Sequence, residues 1–350
     1  MRRIKITLRA IFILIVCIVF FVSSIYIFIA IKGESIIENS LENIFKKDVE
    51  ISNFRISVPL NIKVSGIKIK DLGNIDYIYI SPSLPGFLGA KIVLNNIIVN
   101  KPYIIFTRQK QELVIALAAD SVDNKEVSAQ EAKNFRFRIN IPLVIKNLKI
   151  IDGKFEVIDK VISESGLKIK FDSLNFILKN YAYPPRHMRT IYQIKGNIPW
   201  ENEHAAGRID GQGWVNFGKR DMEGNINLRD IDGMYLSPYY NNYVNLADLK
   251  VEKASLDFLT DLNSSNNDLL IKSHLELKNM TFIKIEEPKD NSKEAPDAAK
   301  IMGAVFEVFS NIGGKIVLDF KIKTKFDRPR MGLENIKVSI EDKLSKKILN

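Results

Sequence analysis

Apolar and polar positions alternate one by one over most of the chain. Ile316, Leu318, Phe320 and Ile322 fall on one side of such a stretch, and Asp319, Lys321, Lys323 and Lys325 on the other. Leu167, Ile169 and Phe171 alternate with Lys168 and Lys170, Leu275 and Leu277 with Glu276 and Lys278, and Ile67 and Ile69 with Lys68 and Lys70. A period of two is that of a strand with one dry and one wet face. The abundance of β-branched Ile suits the same reading. The pattern predicts a mainly β body from about residue 48, with breaks at Gly66, Gly73, Pro82 to Gly89, Gly153, Gly166, Pro184-Pro185, Gly211 to Gly218 and Pro238. Val144 to Asp159 reads as a strand, a polar turn and a second strand, and Leu246 to Leu259 echoes that unit.

The alternation is absent at the N-terminus. Residues 10–31 form a run of 22 without a charge. As a helix that run is about 33 Å long, enough to cross a hydrocarbon core of about 30 Å. Arg2, Arg3, Lys5 and Arg9 precede it, whereas Lys32 and Glu34 follow, so the positive-inside rule places the N-terminus in the cytoplasm and the body outside. A cleaved signal peptide would need a shorter apolar core, roughly 7–15 residues, ending in small residues. Over 32–47, Ile37, Leu41, Ile44 and Phe45 recur at helical spacing, predicting an amphipathic helix that caps the β body or lies on the membrane surface. Asp120 to Lys133 reads as a loop or short helix, 286–297 as a solvated linker, and Ala298 to Phe309 as a short apolar helix. The expected division is a basic tail (1–9), a transmembrane helix (10–31), an amphipathic helix (32–47), a β-rich body (48–285), a polar linker (286–297), and a short helix with terminal strands (298–350).

Composition removes several function classes. The net charge is +10, but Lys and Arg are interspersed with Asp and Glu and no block of five like charges occurs. A nucleic-acid surface would cluster its cations among aromatics, so no nucleic-acid partner is expected. The single cysteine, Cys17, lies in the apolar run, leaving the body without disulfides or thiolate metal ligands. His187, His204 and His274 have no second ligand at a binding spacing, so no metal or other cofactor is expected. There is no Walker motif, no His-Glu-x-x-His and no Gly-x-Ser-x-Gly. Gly211-Gln-Gly213 runs into Trp214 and Val215, not into a helix. Asp152, Asp159 and Asp172 read as turn formers or solvated partners of lysine. The expectation is a protein that is not an enzyme, with a hydrolase of scattered active site as the third alternative.

Taken alone, the apolar stripes fit the core of a β-sandwich. The order of segments changes that reading. A basic N-terminus, one apolar run and a helix ending in Phe45-Lys-Lys-Asp-Val-Glu-Ile-Ser52 come first. LNIKVSGIKIKD at 60–71 and IIVNKPYIIFTR at 97–108 follow, and together these resemble the start of AsmA-like proteins. Ile145 to Asp159 resembles that family's strand unit. MYLSPYY at 234–240 and GKIVLDFKIKTKFDRPR at 314–330 resemble the C-terminal part of a related branch.

The resemblance implies an inner-membrane anchor and a periplasmic body, an elongated curled antiparallel β-sheet with an apolar groove open to phospholipid acyl chains. The groove positions would be Leu167, Ile169, Phe171, Leu275, Leu277, Ile316, Leu318, Phe320 and Ile322. The implied role is phospholipid transport or outer-membrane biogenesis, with the membrane and envelope proteins as further partners. The alternative is a non-enzymatic assembly scaffold that binds a protein partner along an exposed strand edge.

Overall fold

The computed structural model describes residues 2–58, 60–89, 91–109, 142–200, 206–241, 245–283, 315–329 and 336–339, with backbone alone over most of 2–25 and at 87–88 and 336–339. The expected elements at 120–133, 286–297 and 298–309 lie outside the described residues. Helix α1 (Arg2–Phe45) leads into β1 (Val49–Ser57), β2 (Asn61–Ile69) and β3 (Gly73–Pro82). A short α2 (Leu84–Leu88) precedes β4 (Ile92–Arg108). Next come β5 (Leu143–Asp159), β6 (Leu167–Tyr183), β7 (Thr190–Pro199), β8 (Ala206–Asn216) and β9 (Asp221–Asp232). Helix α3 (Gly233–Leu236) and a 3-10 turn (Ser237–Tyr239) lead to β10 (Val251–Ser265), β11 (Asp268–Phe282), β12 (Ile316–Lys325) and β13 (Ile336–Ser339).

The thirteen strands form one sheet whose spatial order is their sequence order. Among the described residues β1 and β13 each have a single neighbour, so the sheet is open. The expectation of a purely antiparallel sheet needs one correction: β4 and β5 are parallel, with Ile97 opposite Leu148 and Val99 opposite Ile150. A parallel pair needs a connection of about a dozen residues or more to carry the chain from one end of the sheet to the other. The 34 residues between Arg108 and Leu143 supply that length.

The sheet has two rims. On the junction rim, where α1 meets β1, Val49 lies opposite Ile69 and Ile69 opposite Gly73. Arg108, Asp159, Leu167, Pro199, Asp232 and Val251 lie along the same rim. The tip rim carries the β1–β2 turn after Ser57, the β3–β4 connection after Pro82, and the tight turns at 184–189, 217–220 and 266–267.

Three of the expected breaks fall inside strands. Val144 to Asp159 is one continuous strand, not a hairpin, and absorbs its polar middle as a register shift between Ile150 and Gly153, with Asp152 at φ 53°. Gly66 sits within β2 at φ +65°, and a Cβ there would fall 2.6 Å from the Ser52 hydroxyl. Gly211 and Gly213 lie in the middle of β8. A bulge lets a strand bend and carry on, so a turn-forming residue does not end it.

Helix α1 runs unbroken through the boundary expected near residue 31. Its second half packs on the first strands: Ile29, Ile37, Leu41 and Phe45 lie against a core of Val49, Val64, Ile67, Ile69, Ile75 and Ile78. Gly33 completes that four-residue spacing and lets the Phe54 ring approach to 2.6 Å of where its Cβ would stand. Ile44, expected on the packing face, is 68% exposed. The contact stripe follows i, i+4 steps and leaves the i+7 position on the flank. Among the described residues no helix is long and apolar enough to cross a membrane, and most side chains of 10–25 lie outside that set.

Candidate functional site: an apolar track across the sheet

Strand register assembles an apolar track at right angles to the strands. One row reads Phe54, Val64, Ile78, Val99, Ile150, Phe176, Ile194, Gly211, Ile226, Thr260, Ser273 and Phe320, each directly opposite the next. The second reads Ile56, Ile62, Ile80, Ile97, Leu148, Leu178, Tyr192, Gly213, Gly224, Leu262, Ile271 and Ile322. Twelve strands at about 4.8 Å make a track of roughly 55 Å. No charged side chain stands in either row.

Coverage divides the track into three parts. Under α1, Ile62, Val64 and Ile78 are buried. From Ile97 to Ile194 the lining residues are half-buried, with no other layer of the fold described over them. From β8 onward the face joins a second core that holds Leu275, Leu277, Ile316 and Leu318 at 6%, 0%, 2% and 0% exposure. A strap made of α3, the 3-10 turn and the segment up to Val251 belongs to that core through Tyr240 and Leu246, with Met234, Leu236 and Leu249 packed against it.

The nine positions expected to line a groove therefore separate. Phe320 and Ile322 lie on the track. Leu275, Leu277, Ile316 and Leu318 share its face but form closed core near the junction rim. Phe171 packs against the same core, opposite Phe155, and Ile169 lines a cleft of about 250 Å³ with Ile198, Trp200, Ile231, Tyr235 and Leu236. Leu167 lies at the rim opposite Asp159. The open lining residues Ile97, Val99, Leu148, Ile150, Phe176, Leu178 and Ile194 were not among those expected. Their signal was present in the β4 and β5 segments, where long apolar runs mask the alternation.

The strap is latched by polar contacts. The Asp159 carboxylate, expected to be solvated, is 1% exposed. It accepts hydrogen bonds from Arg108 Nη1 at 2.9 Å, the Tyr239 hydroxyl at 2.8 Å and the Val161 amide at 2.9 Å. Burial pushes its pKa up, but Tyr239, the amide and Arg108 together outweigh burial and hold the carboxyl below its ordinary range. The same burial, with the carboxylate next to it, pushes the Tyr239 hydroxyl well above the usual tyrosine value. Tyr235 spans 67 residues of sequence, its hydroxyl donating to the Lys168 carbonyl and accepting from the Lys168 amide. The strap thus reaches from β9 back to β6 and β5 at the junction rim.

At Gly213 and Gly224 the track is crossed by Tyr192, whose hydroxyl lies where a Cβ on either glycine would go. That oxygen is buried and has no hydrogen-bond partner among the described residues. Burial raises its pKa. No group of three metal-ligating side chains comes together among the described residues. No family model, curated protein or solved structure matches the chain.

Proposed function

We propose that the chain is a membrane-anchored, lipid-handling protein of the AsmA-like type, with α1 in the inner membrane and the sheet in the periplasm, contributing to phospholipid transport or outer-membrane biogenesis. The observation that carries this reading is the uncharged, in-register track, half-buried between β4 and β7. Each acyl CH₂ transferred from water onto such a surface gains up to about 0.8 kcal/mol. No catalytic group is needed for that.

An acyl chain is roughly 15 Å long, half the hydrocarbon core, and the open part of the track, four strands about 4.8 Å apart, spans roughly the same length. The anchor is supported by the exposed apolar side chains of α1: Phe20 at 74%, Ile27 at 56%, Phe28 at 58% and Ile31 at 70%. A helix with such a surface needs an apolar solvent or an apolar partner. The scaffold alternative rests on the outer edges of β1 and β13, each paired on one side only among the described residues.

Photo-crosslinking in cells tests the reading. A benzophenone amino acid at Ile150 or Ile194, on the track, should give phospholipid adducts. The same group at Lys149 or Gln193, one residue away and on the opposite face, should give none. Protein adducts alone at Ile150 and Ile194 would discard lipid handling in favour of the scaffold.

A further inference from the structure

Helix α1 and strand β1 form an antiparallel hairpin. From Phe45 back to Gly33 is about 18 Å of helix, and from Val49 on to Phe54 is about 17 Å of strand. The two residues at those heights touch, Gly33 against the Phe54 ring. At the base of the hairpin the Val49 amide donates to Glu42 Oε1. The strand therefore runs back down alongside the helix, so the tip rim, not the junction rim, lies toward the apolar run. On the same scale Arg55 is level with Lys32, where that run ends, and Val58 is level with about residue 25, some 10 Å inside it.

The chemistry of the two rims matches those heights. The junction-rim turns closest to α1 are Lys46-Lys47-Asp48 and Lys70-Asp71. The β1–β2 connection, 57–61 (SVPLN), carries no charge, and the β3–β4 connection, 83–91 (SLPGFLGAK), carries one, Lys91 at its end. Val58 is 85% exposed, the most of any described large apolar side chain. One step up the strands, Arg55 lies opposite Lys63 and Lys63 opposite Tyr79. Lys63 Nζ stands 4.3 Å from the centre of the Tyr77 ring. Tyrosine and basic side chains above a tip with a single charge are the ordering found at a membrane interface, with burial of about 5–10 Å.

We infer that the β1–β2 turn and the β3–β4 connection with α2 insert into the outer leaflet of the membrane that holds α1. Arg55, Lys63, Tyr77 and Tyr79 sit at headgroup level. The second row of the track starts at Ile56 and Ile62, next to this tip, so its first residues stand at the level of the lipid tails. The inference rests on the anchor reading of α1 and does not depend on lipid handling.

Depth-dependent quenching tests it on the full chain. Bimane is placed at the native Cys17, or at Val58→Cys, Lys63→Cys or Lys47→Cys in a Cys17→Ser background. Each protein is reconstituted into phosphatidylcholine vesicles doped with phosphatidylcholine spin-labelled either on the acyl chain or on the headgroup. Val58 lies in an exposed turn, so its replacement leaves the core intact. The expected result is strong quenching at Cys17 and Val58→Cys by tail-labelled lipid, quenching at Lys63→Cys by headgroup-labelled lipid, and none at Lys47→Cys. If Cys17 is quenched while Val58→Cys stays as bright as Lys47→Cys, the anchor stands and the inserted rim is refuted, leaving the tip as a surface for a protein. If Cys17 is not quenched, the anchor reading fails and the inserted rim fails with it.

Discussion

Replacing Asp159 measures how firmly the strap is held. The carboxylate is almost fully buried and receives three hydrogen bonds, whereas its partner Arg108 has a side chain 39% exposed. Removing one member of a buried ion pair costs about 3–5 kcal/mol when the survivor cannot reach water. Arg108 can rehydrate through its exposed part, so Asp159→Ala is expected to cost less, about 2–4 kcal/mol. Tyr239→Phe removes one hydrogen bond to a charged acceptor and should cost about 1–2 kcal/mol. In the double variant the Tyr239 contribution has already gone, so the two losses should fall short of additivity by about 1 kcal/mol. Urea unfolding of the four proteins gives the cycle, and hydrogen exchange over 233–250 shows whether the strap opens before the sheet does. Additivity within about 0.3 kcal/mol would refute the latch and make the Tyr239–Asp159 contact incidental.

Two further outcomes follow from the same geometry. Asp159 has a folded pKa below its unfolded value, so its contribution is fully present above the usual carboxylate value of about 4 and is lost as pH falls through the lower folded value. Limited proteolysis of the strap should therefore be unchanged between neutral pH and about pH 5, then rise in stronger acid, a rise that Asp159→Asn should abolish. A methyl group at Gly224 would collide with the Tyr192 hydroxyl and with the Gln212 carbonyl, so Gly224→Ala should cost about 1–3 kcal/mol in thermal unfolding. Tyr192→Phe, which removes a buried oxygen without a partner, should be near neutral alone and should recover part of the Gly224→Ala loss.

The strands were legible because a half-buried strand writes its two faces directly into the sequence. Ile316 to Ile322 and Leu275 to Leu277 fall on one face, as their alternation implied. Strand continuity was not legible. Asp152, Ser173, Asn180 and Asp230 have positive φ inside strands, and residues of those types equally mark a turn. The nine expected groove positions were chosen by clarity of alternation, which selects the strands with the driest face. Four of them are dry because the strap covers them. The open part of the track is written in runs such as Ile97-Ile-Val99 and Ile150-Ile151, where both faces carry apolar residues and the period is hidden. Asp159 was read as solvated because its partners, Arg108 and Tyr239, lie 51 and 80 residues away.

The single parallel step between β4 and β5 decides where the long connections fall. In an unbroken meander from β1, strand β9 would end on the tip rim, and the strap would emerge beside the β1–β2 turn. Because β5 repeats the direction of β4, β9 ends on the junction rim, and so does every later connection that leaves an odd-numbered strand. The tip rim keeps the short turns after β6, β8 and β10 and the connection that leaves β12, together with the connections of the first four strands, which carry one charge, Lys91. One rim is thereby reserved for the strap and its latch, and the other is left low and apolar next to α1. A deletion that turned β5 antiparallel to β4 would move the strap onto the apolar rim and reverse the face presented by every strand after β4.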